Sequence, residues 1–214
     1  MSSMAEDGAT RLTPALRDYV ARHLAGFDVR ALDAPDHRRA AVAVVVLDDD
    51  SGRACFALTR RPTTLRRHAG QFALPGGRLD VGETPQAAAL REIEEEVGLH
   101  LEPEAVLGRL DDFATRSGHL ITPFVVWAGP DAPLAPSPDE VEAVYRVPLS
   151  ELDRPGNPRI EAGGPGERPL IYFALVGTLV FAPTAAILYQ FREVALHGRP
   201  TRVAHFEQPL FAWR

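Results

Sequence analysis

Apolar residues along the chain follow two distinct periods. The run "AAVAVVVL" (40–47) is apolar at every position and "RACFALTR" (53–60) nearly so, as in strands buried on both faces. Between them "DDDSGR" is turn-forming, which predicts a hairpin whose three aspartates are a solvated tip and not a metal cluster. Helical spacing appears instead in "TPALRDYVARHLAG" (13–26), "PQAAALREIEEEV" (85–97) and "TAAILYQFREVALHG" (184–198). Thr13 with Pro14, and Thr84 with Pro85, supply an N-cap followed by a first-turn proline; Thr184 is read as a third N-cap. Gly98 and Gly198 supply the left-handed stops. In the second helix Leu90, Ile93 and Val97, with Ala89 beside them, form the stripe expected to be buried.

Further strands are expected at 105–113, 119–128 and 170–180, the last within "LIYFALVGTLVFAP", which reads as strand, turn and helix entry. Long irregular segments are expected at 61–83, at "GPDAPLAPSPDE" (129–140) and at "DRPGNPRIEAGGPGERP" (153–169). Residues 1–12 read as a disordered N-terminus and 13–214 as a single domain. Strands mixed with a few amphipathic helices point to an α/β or α+β sandwich.

The net charge of −6 argues against a nucleic-acid backbone as the main partner. No apolar run is long enough for a membrane span, and "MSSMAEDGATRL" lacks the apolar centre of a signal peptide. The lone Cys55 excludes an internal disulfide and a CxxC zinc site, so a cytoplasmic location is expected, with Cys55 as a buried core residue. All 23 cationic residues are Arg, a compositional bias that also suits forked phosphate recognition.

One stretch resists a purely structural reading. In "REIEEEVGL" (91–99), Glu92, Glu95 and Glu96 stand at i, i+3 and i+4, on one face of a helix and near its C-terminal end. Each like-charge pair there costs roughly 0.2–0.5 kcal/mol, and the helix dipole adds to the penalty. A hard divalent cation removes it, because Mg²⁺ selects carboxylate oxygens. Glu83 precedes the helix, Arg91 is spaced to pair with Glu95 or Glu94, and "LPGGR" (74–78) offers backbone that can approach a ligand closely. Glu94 points elsewhere and reads as solvated. Together these residues favour metal-assisted attack of water on a phosphate. An exposed acidic helix face is the plainer alternative.

From Gly77 to Leu99 the spacing Gly, five residues, Glu83, seven residues, Arg91-Glu92-Ile93, one residue, Glu95-Glu96, one residue, Gly98-Leu99 resembles the complete signature of the Nudix hydrolase family. The resemblance implies a loop–helix–loop in an α/β/α sandwich with a central mixed sheet, an α/β fold. It also implies hydrolysis of a nucleoside diphosphate linked to another group, with Mg²⁺ or Mn²⁺. Glu92, Glu95 and Glu96 map to metal-binding glutamates, joined by the Gly77 carbonyl, while Arg91 and Glu83 map to residues that orient them. For the general base Glu92 is the first choice and Glu140 the reserve.

The segment "ALTRRPTTLRRHAGQFALPGG" (57–77) resembles the coenzyme A pyrophosphatase branch, through Leu58, Thr59, Arg61, Arg66, Gly70 and Pro75-Gly76-Gly77. Ala57, Pro62 and Leu74 depart from that branch's usual residues. "LDDFATRSGHLITPFVVW" (110–127) and "TAAIL" (184–188) agree with it, so the resemblance covers about residues 40–195. The substrate it implies is CoA or a derivative, with Arg61, Arg66, Arg67, His68, Gly70 and Gly76 on the binding side. A different diphosphate such as ADP-ribose, NADH or a dinucleoside polyphosphate, and a non-catalytic nucleotide sensor, are the alternatives. The expected partner is a small nucleotide and neither nucleic acid nor membrane; a homodimer is compatible with the sequence.

Overall fold

A computed structural model describes residues 10–63, 70–163 and 167–207. Its organising element is β1 (Arg38–Asp48), whose apolar run is buried on both faces, only Val42 being partly exposed after Arg39. A strand of this kind must be covered on both sides, and the molecule is built as two helical layers around it. Ala41, Ala43, Val45 and Leu47 pack with Ala88, Ala89, Ile93 and Val97 of α2 (Pro85–Val97). The opposite face, through Ala40, Val44 and Val46, belongs to a second buried cluster that includes Val20 and Leu24 of α1 (Pro14–Ala25) and Ile187 and Phe191 of α3 (Thr184–Phe191).

The sheet is mixed. One edge of β1 pairs in parallel with β7 (His119–Gly129), from Arg38 opposite His119 to Leu47 opposite Gly129. The other edge is shared end to end by two antiparallel partners. β2 (Ala54–Arg60) takes residues 46–48, and β4 (Gly76–Arg78) takes residues 40–42. β3 (Phe72–Ala73) and β8 (Ala143–Pro148) extend β2, while β5 (Val106–Arg109) and β6 (Phe113–Ala114) pair with β7. A second sheet among the described residues runs β11 (Thr178–Phe181), β10 (Leu170–Leu175), β9 (Arg159–Glu161).

The predicted caps of α1 and α2 form: Thr13 and Thr84 each accept a backbone N–H at 3.2 Å, and Gly98 closes α2 at φ 73°. α3 differs, since Thr184 opens the helix without a side-chain cap and the last turn widens to a π-helical segment, Arg192–Leu196, before Gly198 at φ 67°. The buried stripe of α2 is Ala88, Ala89, Ile93 and Val97, with Leu90 only partly covered. Full burial of a side chain such as Ile93 contributes about 1.5–3 kcal/mol.

Four other expectations change. The segment expected to be disordered starts to pair at Thr10, whose carbonyl accepts from Ala54, while Leu12 donates to Gly52; residues 1–9 lie outside the described residues. The single strand expected at 105–113 is split, because Asp111 and Asp112 turn inward and leave the ladder to bind other segments. Within the loop expected at 153–169, β9 pairs with β10, Ile160 opposite Ile171. At the hairpin tip Asp49 organises the turn, accepting from Ser51 and Arg53, but Asp48 is buried and accepts from the Asp131 N–H at 2.9 Å. Cys55 is buried, its thiol pushed up to about 11 by desolvation, as befits a core residue. Among the described residues no helix is long and apolar enough to cross a membrane.

Candidate active site

The loop 61–83 is expected to be irregular, and it is where the site is assembled. Its residues 76–78 lie against β1 as β4, and the fit is close. A Cβ at Gly76 would stand 2.3 Å from the Ala41 carbonyl oxygen, and one at Gly77 would stand 2.1 Å from Glu92 Oε1. Only glycine admits both the strand pair and the helix carboxylate. Gly76 in turn donates its N–H to Glu96 Oε2 at 3.1 Å.

Arg91 braces the assembly. Its Nε and Nη2 donate to the two oxygens of Glu83 at 2.9 and 3.0 Å, and Nη2 also reaches the Arg78 carbonyl at 3.0 Å. Its Nη1 spans Glu92 Oε1 at 3.0 Å and Glu95 Oε2 at 2.7 Å. This fork uses the planar guanidinium in a way Lys could not reproduce. The Glu83 carboxyl is held below its usual range by Arg91, and the Arg91 guanidinium is held above its own by Glu83. Of the two spacings expected for Arg91, only that to Glu95 is used; Glu94 is exposed and meets His100 at 3.0 Å.

Glu92 and Glu96, one helical turn apart, line the same cavity. Burial raises the Glu92 carboxyl. It pushes Glu96 up to about 7, reinforced by the like charges of Glu92 and Glu140 and opposed by the Gly76 N–H and Arg61. Glu140, from the connection before β8, lines that cavity as well, so the structure brings the reserve base to the site. Glu95 is more exposed, at 47% of its side chain, and stays on Arg91.

The donor set fits a hard divalent cation: desolvated carboxylates at Glu92 and Glu96, an adjacent carbonyl-bearing glycine, and no Cys or His among them. The set is not preassembled, however. Among the described residues no three acidic, His or Cys side chains stand where they would jointly hold an ion. Arg91 supplies the counter-charge to Glu92 and Glu95.

The cavity is about 1200 Å³ and continues past the glutamates. Arg61, Gly70 and Gly76 line it, and Arg61 Nε is buried without a hydrogen-bond partner among the described residues. Arg66, Arg67 and His68 lie outside the described residues. Four basic residues not singled out in the sequence also line it: Arg38, Arg78, Arg116 and His119. Arg38 and His119 are register partners across the parallel β1–β7 pair, a proximity with no local sequence signal.

Fold, carboxylate helix and glycine cradle define one class of protein, and a model of the NUDIX domain matches residues 37–165. The chain belongs to the Nudix family of hydrolases, enzymes that cleave nucleoside diphosphate derivatives and generally use divalent ions such as Mg²⁺ or Mn²⁺. Among its relatives is a Photorhabdus laumondii protein described as an uncharacterized Nudix hydrolase NudL. It is 35% identical over 161 residues, covering 74% of this chain and 85% of that one. A Cronobacter sakazakii NudL, described in the same words, is 44% identical over 123 residues, covering 56% of this chain and 62% of the relative, so less than two thirds of its length is spanned. A crystal structure of a MutT/nudix family protein from Enterococcus faecalis shares the fold, with a TM-score of 0.54 at 18% identity over 88% of this chain and 77% of that one.

Proposed function

We propose that this hydrolase cleaves the diphosphate bond of CoA or a CoA derivative, giving 3′,5′-ADP and 4′-phosphopantetheine or its acyl form. The observation that carries the reading is Arg61. The residue lines the same cavity as Glu92 and Glu96, and its buried Nε has no hydrogen-bond partner among the described residues, which leaves its guanidinium available to an anionic oxygen of a bound diphosphate. Arg38, Arg78, Arg116 and His119 make the rest of the cavity suitable for a substrate with more than one phosphate group. Arg66, Arg67 and His68 are assigned to the same side by the resemblance in sequence.

In this reading Glu92, Glu96 and the Gly77 carbonyl, with Glu95 once it leaves Arg91, hold Mg²⁺ or Mn²⁺. The ion, when bound, neutralises charge on the phosphates and lowers the pKa of water. Glu92 takes the proton from the attacking water, with Glu140 as the reserve base on the facing loop. Arg91 and Glu83 keep Glu92 oriented, and Gly70 and Gly76 allow the ligand to approach the backbone. The test is product analysis with one enzyme batch across CoA, dephospho-CoA, ADP-ribose and NADH. The expected result is 3′,5′-ADP from CoA at the highest kcat/KM of the four. A higher kcat/KM on ADP-ribose or NADH moves the substrate elsewhere within the family.

A further inference from the structure

The cavity that holds Glu92 and Glu96 is walled elsewhere by residues 178–184. A strand that turns a face to a cavity contributes alternate residues, as β1 does with Arg38, Ala40 and Val42. β11 and the residues after it contribute every residue in turn, so β11 presents its edge. It is an outer strand of its sheet.

The pairing decides which groups face outward. Val176 and Gly177 both have positive φ, 45° and 78°, the signature of a two-residue hairpin turn, so the closing pair Leu175–Thr178 is hydrogen-bonded. The next pair, Ala174–Leu179, is then of the other kind, with N–H and C=O groups directed away from each other. Ala174 behaves accordingly. Its N–H donates to Asn157 Oδ1 at 2.9 Å, and its carbonyl accepts from Asn157 Nδ2 at 3.1 Å and Arg154 Nη2 at 2.7 Å. The N–H and C=O of Leu179 point the opposite way, to the open edge, and meet no hydrogen-bond partner among the described residues. Such an edge is a template for another extended, amide-bearing chain.

We propose that β11 binds the arm of the substrate beyond the diphosphate by strand-like pairing. Leu179 N–H donates to an amide carbonyl of the arm, and Leu179 C=O accepts an amide N–H. This rests on the CoA reading, in which the arm is pantetheine, an extended chain with two amides. The same edge discriminates against diphosphates whose second half is a sugar, because these offer no amide to complete the pair.

The experiment compares CoA with two analogues in which one pantetheine amide, then the other, is replaced by an ester, removing the N–H while keeping the length. With the wild-type enzyme one of the esters should lose about three- to tenfold in kcat/KM, carried by KM, the worth of a single net hydrogen bond. Leu179→Pro removes the edge donor and keeps the Leu179 carbonyl, so it should lower kcat/KM for CoA and for that ester by a similar factor of about three to ten, while the difference between the two substrates persists. Equal kcat/KM for CoA and both esters with the wild type overturns the pairing and leaves the CoA assignment standing. Absence of 3′,5′-ADP from CoA itself overturns both. Should Leu179→Pro not fold, the three substrates on the wild-type enzyme decide the question.

Discussion

Glu96 on α2 and Asp111 between β5 and β6 are buried to the same degree, 6% and 5% exposed, and their surroundings are opposite. Asp111 is surrounded by donors. It accepts from the Arg30 N–H at 2.7 Å, from Gln190 Nε2 at 2.8 Å, and from Arg202 Nη1 at 2.8 and 3.0 Å. Its neighbour Asp112 accepts from the Leu32 N–H, Arg109 and Thr122. These carboxylates tie the segment after α1 to the sheet, and through Asp111 to α3 and the residues beyond it. Glu96 has one donor among the described residues, the Gly76 N–H, and faces the like charges of Glu92 and Glu140. A buried acid with its full complement of donors is a joint, whereas one left short of them is a site for an incoming charge.

The contrast can be broken most forcefully at the glutamate. Glu96→Gln keeps the shape and the acceptor for Gly76 but removes the charge, and kcat should fall by about 10²–10⁴, the usual range for losing a group that acts on the reacting centre. Circular dichroism should show an unchanged fold; an unchanged kcat instead would make the acidic face a solvated surface. Asp111→Ala should behave the other way round. It strips Arg202, Gln190 and the Arg30 N–H of their shared acceptor, and denaturant unfolding should show a loss of about 3–5 kcal/mol. Turnover per folded molecule should be preserved, and a large drop in kcat at full folding would erase the distinction.

The smallest effect sharpens the comparison through pH. The Glu96 carboxyl titrates near 7 in the folded chain, above its ordinary value of 4.5, so the folded state binds its proton more tightly than the unfolded state does. Its stabilising contribution is complete below about pH 4.5 and is lost as pH rises through about 7. A span of that width corresponds to on the order of 3 kcal/mol at most. The difference in unfolding free energy between chelator-treated wild type and Glu96→Gln should therefore change across this window in favour of the variant. A difference independent of pH would mean that Glu96 is solvated.

Much of this was legible in local spacing. The hairpin of β1 and β2, α1 and α2 with their caps, the αL stop at Gly98 and the Arg91–Glu95 pair all depend on residues within a few positions of one another. The expectations that changed depend on remote partners. Asp111 and Asp112 leave the expected strand because Arg30, Gln190 and Arg202 reach them from distant parts of the chain. β9 forms because β10 offers it an edge, and Arg38 meets His119 because β7 runs parallel to β1.

The carboxylate helix divides along the same line. The repeat of Glu92, Glu95 and Glu96, the Gly77-to-Leu99 spacing and the mixed α/β character are properties of one stretch of chain, since helical and strand periods are set by the backbone. Which of those glutamates loses its water, which one stays with Arg91, and that an open strand edge lies along the same cavity were decided by packing. Burial, donor count and edge exposure arise only when segments far apart in sequence come together.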